Sequence, residues 1–528
     1  MLTRIPARLV LVLLVLALCA ALPGSAGAVG FKYGVAAGDV SSTSAILWAR
    51  ANGKATVRLQ VSRNRRFRGR STKTYRLKAR RSRDYTVQRK VRRLKAGKRY
   101  WFRFISGHRK SRKGTFRTAP KRTRNARIRF GWTGDTDFNR APNQSTPYWN
   151  RGGVYRGMRT ERNNFNVNLG DTIYSDSEIP GRLFPIATSV RRKWAKYKVN
   201  LRNRSLAGLR GDTAFYSHWD DHEFVNDFSR RENSFDNNVN INGQRLFKRG
   251  VKAFRNYAPV TYSRRNGLYR KFRWGRNLEV FFLDERSFRS ANADANHVCD
   301  NPQTGKPDLG PTAPQSTRNV FGAVFPSTGL SQPVSPACLA TIRSPNRTYL
   351  GKRQLARFKK AVNRSTARWK VIMNELPIQQ FYALPYDRWE GFEAERQNVL
   401  KFLRDNVKNV IFLTADVHAT LVNDARIQTL EQGGPVSTGI FDFTVGPAAT
   451  ENFAGEIDNN AGEPGAGNLL AQGFFSPQPP VGVGMRCAVV DKFSYGEVSV
   501  SRDTLTVTPK GIDGKPLADC ARLVLNHR

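Results

Sequence analysis

Acidic residues are what this chain most lacks: 40 Asp and Glu stand against 89 Lys and Arg, a formal net charge of +49 over 528 residues. The deficit is uneven, since Asp84 is the only acid between Arg50 and Arg129. Such a field attracts polyanions such as nucleic acid, anionic wall polymers or acidic lipid surfaces, and it equally fits a compositional adaptation of the surface. The arginines are not interleaved with stacking aromatics in a nucleic-acid motif, so charge alone names no partner. Long apolar runs are absent after the first, LVLVLLVLALCAAL, which lies between Arg4 and Arg8 on one side and Ala26-Gly27-Ala28 on the other. That is the three-part pattern of a secretory signal over residues 1–28, too short for a membrane span and without a stop-transfer charge pattern. No Arg-Arg pair precedes it, which points to the Sec route, and Leu18 before Cys19 argues against a lipoprotein. The expectation is an exported chain, secreted or periplasmic or wall-associated, with no transmembrane segment after cleavage. Cysteine is scarce as well. Four remain beyond the leader, Cys299, Cys338, Cys487 and Cys520, and an even number in an exported chain favours disulfides over thiolate metal ligands. Three pairings are possible; Cys299–Cys338 and Cys487–Cys520 are preferred because each closes a local loop.

At 528 residues the chain is too long for one ordinary core, so two domains, or one large domain with insertions, are expected. Residues 29–125 read as a β-sandwich: SSTSAILWARA, ATVRLQVS, DYTVQRKV and YWFRFIS are strand-like, with basic residues alternating on outer faces. Leu94 to Tyr100 resembles the tyrosine corner of fibronectin-type sandwiches. Past Pro120, short apolar runs alternate with the helical patterns SVRRKWAKYKVN, QRLFKRGVKAFRNY, KRQLARFKKAVNRS and EAERQNVLKFLRDN, which predicts an α/β layered domain over 126–528. Residues 291–346, rich in Pro, Ser, Thr, Asn and Gly, read as a surface insertion holding Cys299 and Cys338, and 453–486 as a second Gly/Pro-rich loop. No internal repeat is visible.

Histidine numbers only six, yet two sit where apolar runs end. ARIRFGWTGD ends on Asp135, FNVNLGD on Asp171 with Tyr174 close behind, and TAFYSHWDD on Asp220 and Asp221 with His222 and Glu223 next; RWKVIMNE ends on Glu375, and VIFLTAD on Asp416 with His418 two residues on. One Asp after a strand is usually a turn former or helix cap. Repeated delivery of metal-ligand residue types at strand C-termini, where open α/β sheets bind ligands, is better explained by a metal site. Adjacent carboxylates such as Asp220 and Asp221 also need a cation if buried.

GDTDF, NLGDTIY, WDDHE and TADVH resemble, in order, four motifs of the calcineurin-like metallophosphoesterases, and their form is similar to the PhoD-type (alkaline phosphatase D) branch. FKYGVAAGDVSSTSAILWAR, LDERSFR, YLGKRQLARFKKAVNRSTARWKVI and DRWEGFEAER extend the resemblance over most of 31–419. It implies a four-layer α/β/β/α metallophosphoesterase domain preceded by a fibronectin-like β-sandwich. It further implies two or more metal ions bridged by Asp171. One is held by Asp135, Asp171, Tyr174 and His418, where a phenolate suits ferric iron; the other is held by Asp171, Asp221, Asp416 and Glu375, an all-oxygen set that suits Ca2+. The PhoD branch commonly carries a Cys after the first strand; WTGDTD has none, which leaves Mn2+ or Zn2+ open there. Paired metals polarise phosphoryl oxygens and activate a hydroxide for in-line attack. His222 would donate to a phosphoryl or leaving oxygen or else orient a ligand, while Asp220 and Glu223 would support the ligands from behind. Arg286 and Arg289 would grip phosphate or pair with nearby acids, and Asp387 would line the site or cap a turn. The implied activity is a phosphatase or phosphodiesterase acting on extracellular phosphate esters. The alternatives are a nuclease or wall-polymer phosphodiesterase drawn to anionic polymers by the basic sandwich, and a non-catalytic polyanion-binding protein. Oligomeric state is not legible.

Overall fold

The structure, a computed structural model, describes residues 28–527 apart from 180–181, 237–238, 430–434, 463, 475–483 and 521. The expected signal peptide therefore lies outside the described residues but for Ala28. Among the described residues no helix is long and apolar enough to cross a membrane.

Two mixed sheets pack face to face. The first has nine strands in the order Leu523–Asn526, Thr504–Gly511, Ser494–Val500, Ile128–Thr133, Phe165–Leu169, Ala214–His218, Val35–Gly38, Ala45–Arg50 and Thr86–Val91. The second has seven: Arg270–Trp274, Leu278–Phe282, Trp369–Met373, Val410–Thr414, Val436–Thr444, Thr420–Ile427 and Met485–Val489. Within each, the central strands run parallel. Side chains alternate across each sheet. Leu278, Val280 and Phe282 thus join Phe130, Trp132, Val167 and Tyr216 in the core between the sheets, while Phe281 faces outward against Phe358 and Leu403. The Trp132 indole donates to the Thr414 carbonyl at 3.0 Å, tying the sheets together just beneath their loop-bearing rim.

Helices Gly153–Thr160, Val190–Asn200, Arg204–Asp212 and Gly243–Tyr257 cover the outer face of the first sheet, and Lys352–Asn363 and Glu393–Asn406 cover the second. The long ones fall where three- and four-residue apolar spacing predicts them. In Gly243–Tyr257, Leu246, Phe247, Val251 and Phe254 form one buried stripe, and the Asn242 side chain caps the start by accepting from the Arg245 N–H. The result is the expected α/β/β/α layering.

The amino-terminal sandwich has an outer sheet of Lys73–Ala79, Ala55–Ser62, Arg99–Ser106, Arg109–Lys110 and Gly114–Arg117. Tyr100 closes the expected corner, its hydroxyl accepting from the Lys95 N–H at 2.8 Å. The inner layer departs from an independent sandwich. Val35–Gly38 pairs in parallel with Ala214–His218, so three sandwich strands continue the nine-stranded sheet.

Disulfides join Cys299 to Cys338 and Cys487 to Cys520. The second ties the edge strand Met485–Val489 of one sheet to the approach to Leu523–Asn526, the edge of the other. The segment expected as an insertion carries helices Gln315–Val324 and Pro336–Arg343. The stretch expected as a Gly/Pro-rich loop is corrected: it begins with helices Phe453–Ala461, capped by Asn452 and ended at Gly462, and Ala466–Phe474.

Candidate metal centre

Each motif acid leaves its strand at the same rim. Asp135 follows Ile128–Thr133, Asp171 follows Phe165–Leu169, Asp220 and Asp221 follow Ala214–His218, and Asp416 follows Val410–Thr414. The backbone turns sharply there. Asp135, Asp171, Asp416 and His418 adopt φ of 61°, 47°, 70° and 55°, a left-handed conformation that is strained for residues with a Cβ and concentrates at functional sites. Gly170, just before Asp171, has φ 99°, and a Cβ there would lie 2.6 Å from that of Asp220. Only glycine lets these two motif loops approach so closely.

The side chains converge. Asp135, Asp171 and His418 offer ligand atoms within 4.8 Å of one another, as do Asp171, Asp221 and His222, and also Asp220, Asp221 and Asp416. The Tyr174 hydroxyl lies 2.8 Å from His418 Nε2, joining the first group. Asp171 belongs to two groups, the position a bridging ligand requires. The His222 N–H donates to Asp171 Oδ1 at 3.2 Å and to Asp221 Oδ1 at 3.0 Å, and the Asp416 N–H donates to Asp135 Oδ1 at 3.3 Å. Glu223 braces the loops, accepting from the Thr172 N–H at 2.7 Å and the Asp220 N–H at 2.8 Å.

The electrostatics of this set call for cations. Burial, reinforced by neighbouring carboxylates, pushes the Asp135, Asp171 and Asp416 carboxyls well above their ordinary range. Asp220 is pushed up to about 7 by burial despite the Arg286 guanidinium beside it. Asp135 Oδ2, Asp171 Oδ2 and Asp220 Oδ2 are buried without a hydrogen-bond partner, and buried acceptors of that kind are normally satisfied. Burial lowers His418 to about 3, so its imidazole is neutral and fit to ligate, and raises the Tyr174 phenol, which stays protonated without a cation. Hard oxygen donors, one neutral imidazole and orphaned carboxylate oxygens fit metal ions.

Glu375 departs from its expected place among the ligands, and both arginines pair with acids. Glu375 is in none of the convergent groups; its Oε2 accepts from the Glu285 N–H at 2.8 Å, and its Oε1 is 3.4 Å from His218 Nε2. Asp220 stands with Asp221 and Asp416 instead. Arg286, expected either to grip phosphate or to pair with nearby acids, does the latter: it is fully buried and bound to Asp220 and, at 2.7 Å, to Asp387, with Asp221 and Asp416 at 3.7 and 3.9 Å. It is the resident cation of the acidic cluster. Arg289 pairs with Asp387 at 2.8 Å over the Tyr349 and Phe392 rings. Asp387 thus lies between two arginines and shares a cluster with Asp221 and Asp227.

Two residues escaped sequence reasoning. Asp176 holds His222 Nδ1 at 2.6 Å. Burial opposes charge on His222, but Asp176, Asp221 and Asp171 outweigh it and raise its pKa well above the ordinary value. Lys193, from helix Val190–Asn200, donates to Ser175 Oγ at 2.6 Å and the Phe224 carbonyl at 2.8 Å, fixing both loops from below. Asp176 lies five residues beyond Asp171 in DTIYSD, a proximity the sequence displays; nothing in the sequence singles out Lys193.

Residues 143–477 match the family model of the PhoD-like phosphatases, and residues 18–120 match that of the PhoD-like phosphatase N-terminal domain; Asp135 falls between the two. The chain is 26% identical over 443 residues to alkaline phosphatase D of Bacillus subtilis (strain 168), an alignment covering 75% of this chain and 66% of that protein, just under two thirds of its length. The solved structure of PhoD superposes with a TM-score of 0.68 at 20% identity, covering 94% of this chain and 89% of that one. A purple acid phosphatase from yellow lupin (Lupinus luteus) seeds shares the fold, with a TM-score of 0.56 at 9% identity, covering 94% and 74%. The two family matches, one spanning more than half the residues, show that the chain belongs to the PhoD-like phosphatase family.

Proposed function

We propose that this member of the PhoD-like phosphatases is a secreted, two-metal phosphoric ester hydrolase acting on extracellular monoesters or diesters. The observation that carries it is the convergence of Asp135, Asp171, Tyr174, Asp221, Asp416 and His418 on one rim, with carboxylate oxygens that lack a partner. Asp135, Asp171, Tyr174 and His418 hold the first ion, which the phenol suits to Fe3+, with Mn2+ or Zn2+ as alternatives in the absence of a Cys. Asp171, Asp221 and Asp416, with Asp220 adjacent, hold the second, and oxygen-only donors favour Ca2+. When bound, the metals supply Lewis-acid polarisation of the phosphoryl group and an activated water nucleophile.

The remaining work falls to protein side chains. Asp176 occupies His222 Nδ1, so Nε2 is the nitrogen left to donate to a phosphoryl or leaving oxygen. Arg286 offsets the repulsion among Asp220, Asp221, Asp387 and Asp416 and holds their spacing. The leader sequence and the two disulfides favour an oxidising, extracytoplasmic setting. The basic sandwich, whose strand Lys73–Ala79 exposes Lys73, Arg76 and Lys78, favours anionic polymers among the substrates.

Turnover of nitrophenyl phosphate and bis-nitrophenyl phosphate, before and after chelation and after reloading with Fe3+, Ca2+, Mn2+ or Zn2+, tests this reading. Hydrolysis of at least one ester should vanish with chelation and return with metal. Turnover indifferent to chelation, or none under any loading, defeats it.

A further inference from the structure

Beside the metal centre, a cleft of about 580 Å³ opens between the loops around 230, 265 and 288 and the start of helix Lys352–Asn363. Arg230, Arg231, Arg265, Lys352, Arg353 and Arg357 line it, and no acid does so among the described residues. The contacts of these cations are with neutral groups: Arg230 donates to Gln244 Oε1 at 2.8 Å, and Arg357 lies 5.3 Å from the centre of the Tyr269 ring. Two further features point to an anion. Helix Lys352–Asn363 begins at Gly351 without a side-chain cap, which leaves first-turn N–H groups for a ligand or water. Arg289, 1% exposed, lines the cleft, and its Nε is buried without a hydrogen-bond partner.

The same Arg289 faces Asp387 at 2.8 Å, and Asp387 shares a cluster with Asp221. Two side chains, Arg289 and Asp387, therefore link the wall of the cleft to the metal centre. The loops around 230 and 288 follow strands Ala214–His218 and Leu278–Phe282, whose carboxyl ends also build that centre. The volume exceeds what one phosphate fills and suits several units of a chain.

We propose that this cleft binds phosphate-rich polymer chains and holds them next to the metal centre. The inference rests on the phosphoric ester hydrolase reading for its purpose, and on the cleft alone for binding. It assigns the stronger part of the recruitment to a built site, with the diffuse charge of the sandwich adding less. Inorganic polyphosphate titrated calorimetrically into the metal-loaded full-length protein provides the test, with nitrophenyl phosphate turnover measured in parallel.

Two triple variants remove equal charge: R231Q/K352Q/R353Q in the cleft and R58Q/R76Q/K78Q on the sandwich. The cleft variant should bind polyphosphate about tenfold more weakly, as expected for three partly exposed ionic contacts, and the sandwich variant less than about twofold. Nitrophenyl phosphate turnover should be unchanged in both, which also verifies folding. Equal weakening in the two variants, or none in the cleft variant, overturns the proposal. Absence of ester turnover in the wild type would count against the hydrolase reading, while the contrast between variants would still decide the cleft.

Discussion

The sandwich and the metal rim are both charge-imbalanced, in opposite senses and with opposite remedies. Between Arg50 and Arg129 the surplus cations lie mainly on solvent-facing edges, where water solvates them, and the one acid, Asp84, is buried. It accepts from Arg50 at 2.9 and 3.1 Å and from the Tyr257 hydroxyl, with Lys198 Nζ 3.4 Å away. The lone acid thus joins the sandwich to helices Gly243–Tyr257 and Val190–Asn200. At the rim the surplus is acidic and buried, with Arg286 as the central guanidinium. Exposed charge is tolerated by solvation, whereas buried charge must find a partner. Where the imbalance sits, and not its size, separates a solvated surface from a metal centre.

Four substitutions and a change of salt sharpen that contrast, in order of falling effect. Asp171→Asn, at the shared ligand position, should lower kcat/KM for nitrophenyl phosphate by about a thousandfold or more. His222→Asn should lower kcat by about a hundredfold, and Asp176→Asn by about tenfold with an altered pH profile, since Asp176 only orients the imidazole. Steady-state kinetics across pH separate the two roles; equal losses with identical profiles would contradict the division.

Asp84→Asn should leave kcat within about twofold but destabilise the fold by about 2 kcal/mol, less than a fully buried pair would lose because this one lies near solvent. The pH dependence follows from the same carboxyl. Burial opposes its charge, yet the hydrogen bonds from Arg50 and Tyr257 outweigh burial and hold its pKa below the ordinary value. A carboxyl depressed in the folded state contributes stability above its unfolded pKa, roughly pH 4, and loses it as pH falls through the folded value. Denaturant melts of wild type and Asp84→Asn should therefore differ at neutral pH and converge under acid. The smallest effect is ionic: raising salt toward molar should change nitrophenyl phosphate kcat/KM by less than about twofold, because the exposed sandwich charge is screened and remote from the chemistry.

The rim was legible because a buried parallel strand writes itself as an apolar run, and the polar residue ending it declares what the rim carries. Asp135, Asp171, Asp221, Asp416 and His418 all converge as those run-ends imply. Glu375 follows the same rule yet turns to Glu285 and His218, since position after a strand fixes depth but not direction. For Arg286 and Arg289 the sequence leaves phosphate binding and acid pairing both open, because their partners lie 66 and 98 residues away in Asp220 and Asp387. The continuation of the sandwich into the main sheet depends on Ala37 meeting Ala214, a pairing no local pattern encodes. Helices Gly153–Thr160 and Arg204–Asp212 run for only 8 and 9 residues, too short a window for a three- and four-residue apolar spacing to repeat.

Metal content per chain, measured by mass spectrometry on wild type and Asp171→Asn purified side by side, tests the central claim most directly. Two ions are expected in the wild type and fewer than one in the variant, because both positions share that carboxylate. Equal metal content in the two proteins, or none in a fully active wild type, would contradict it.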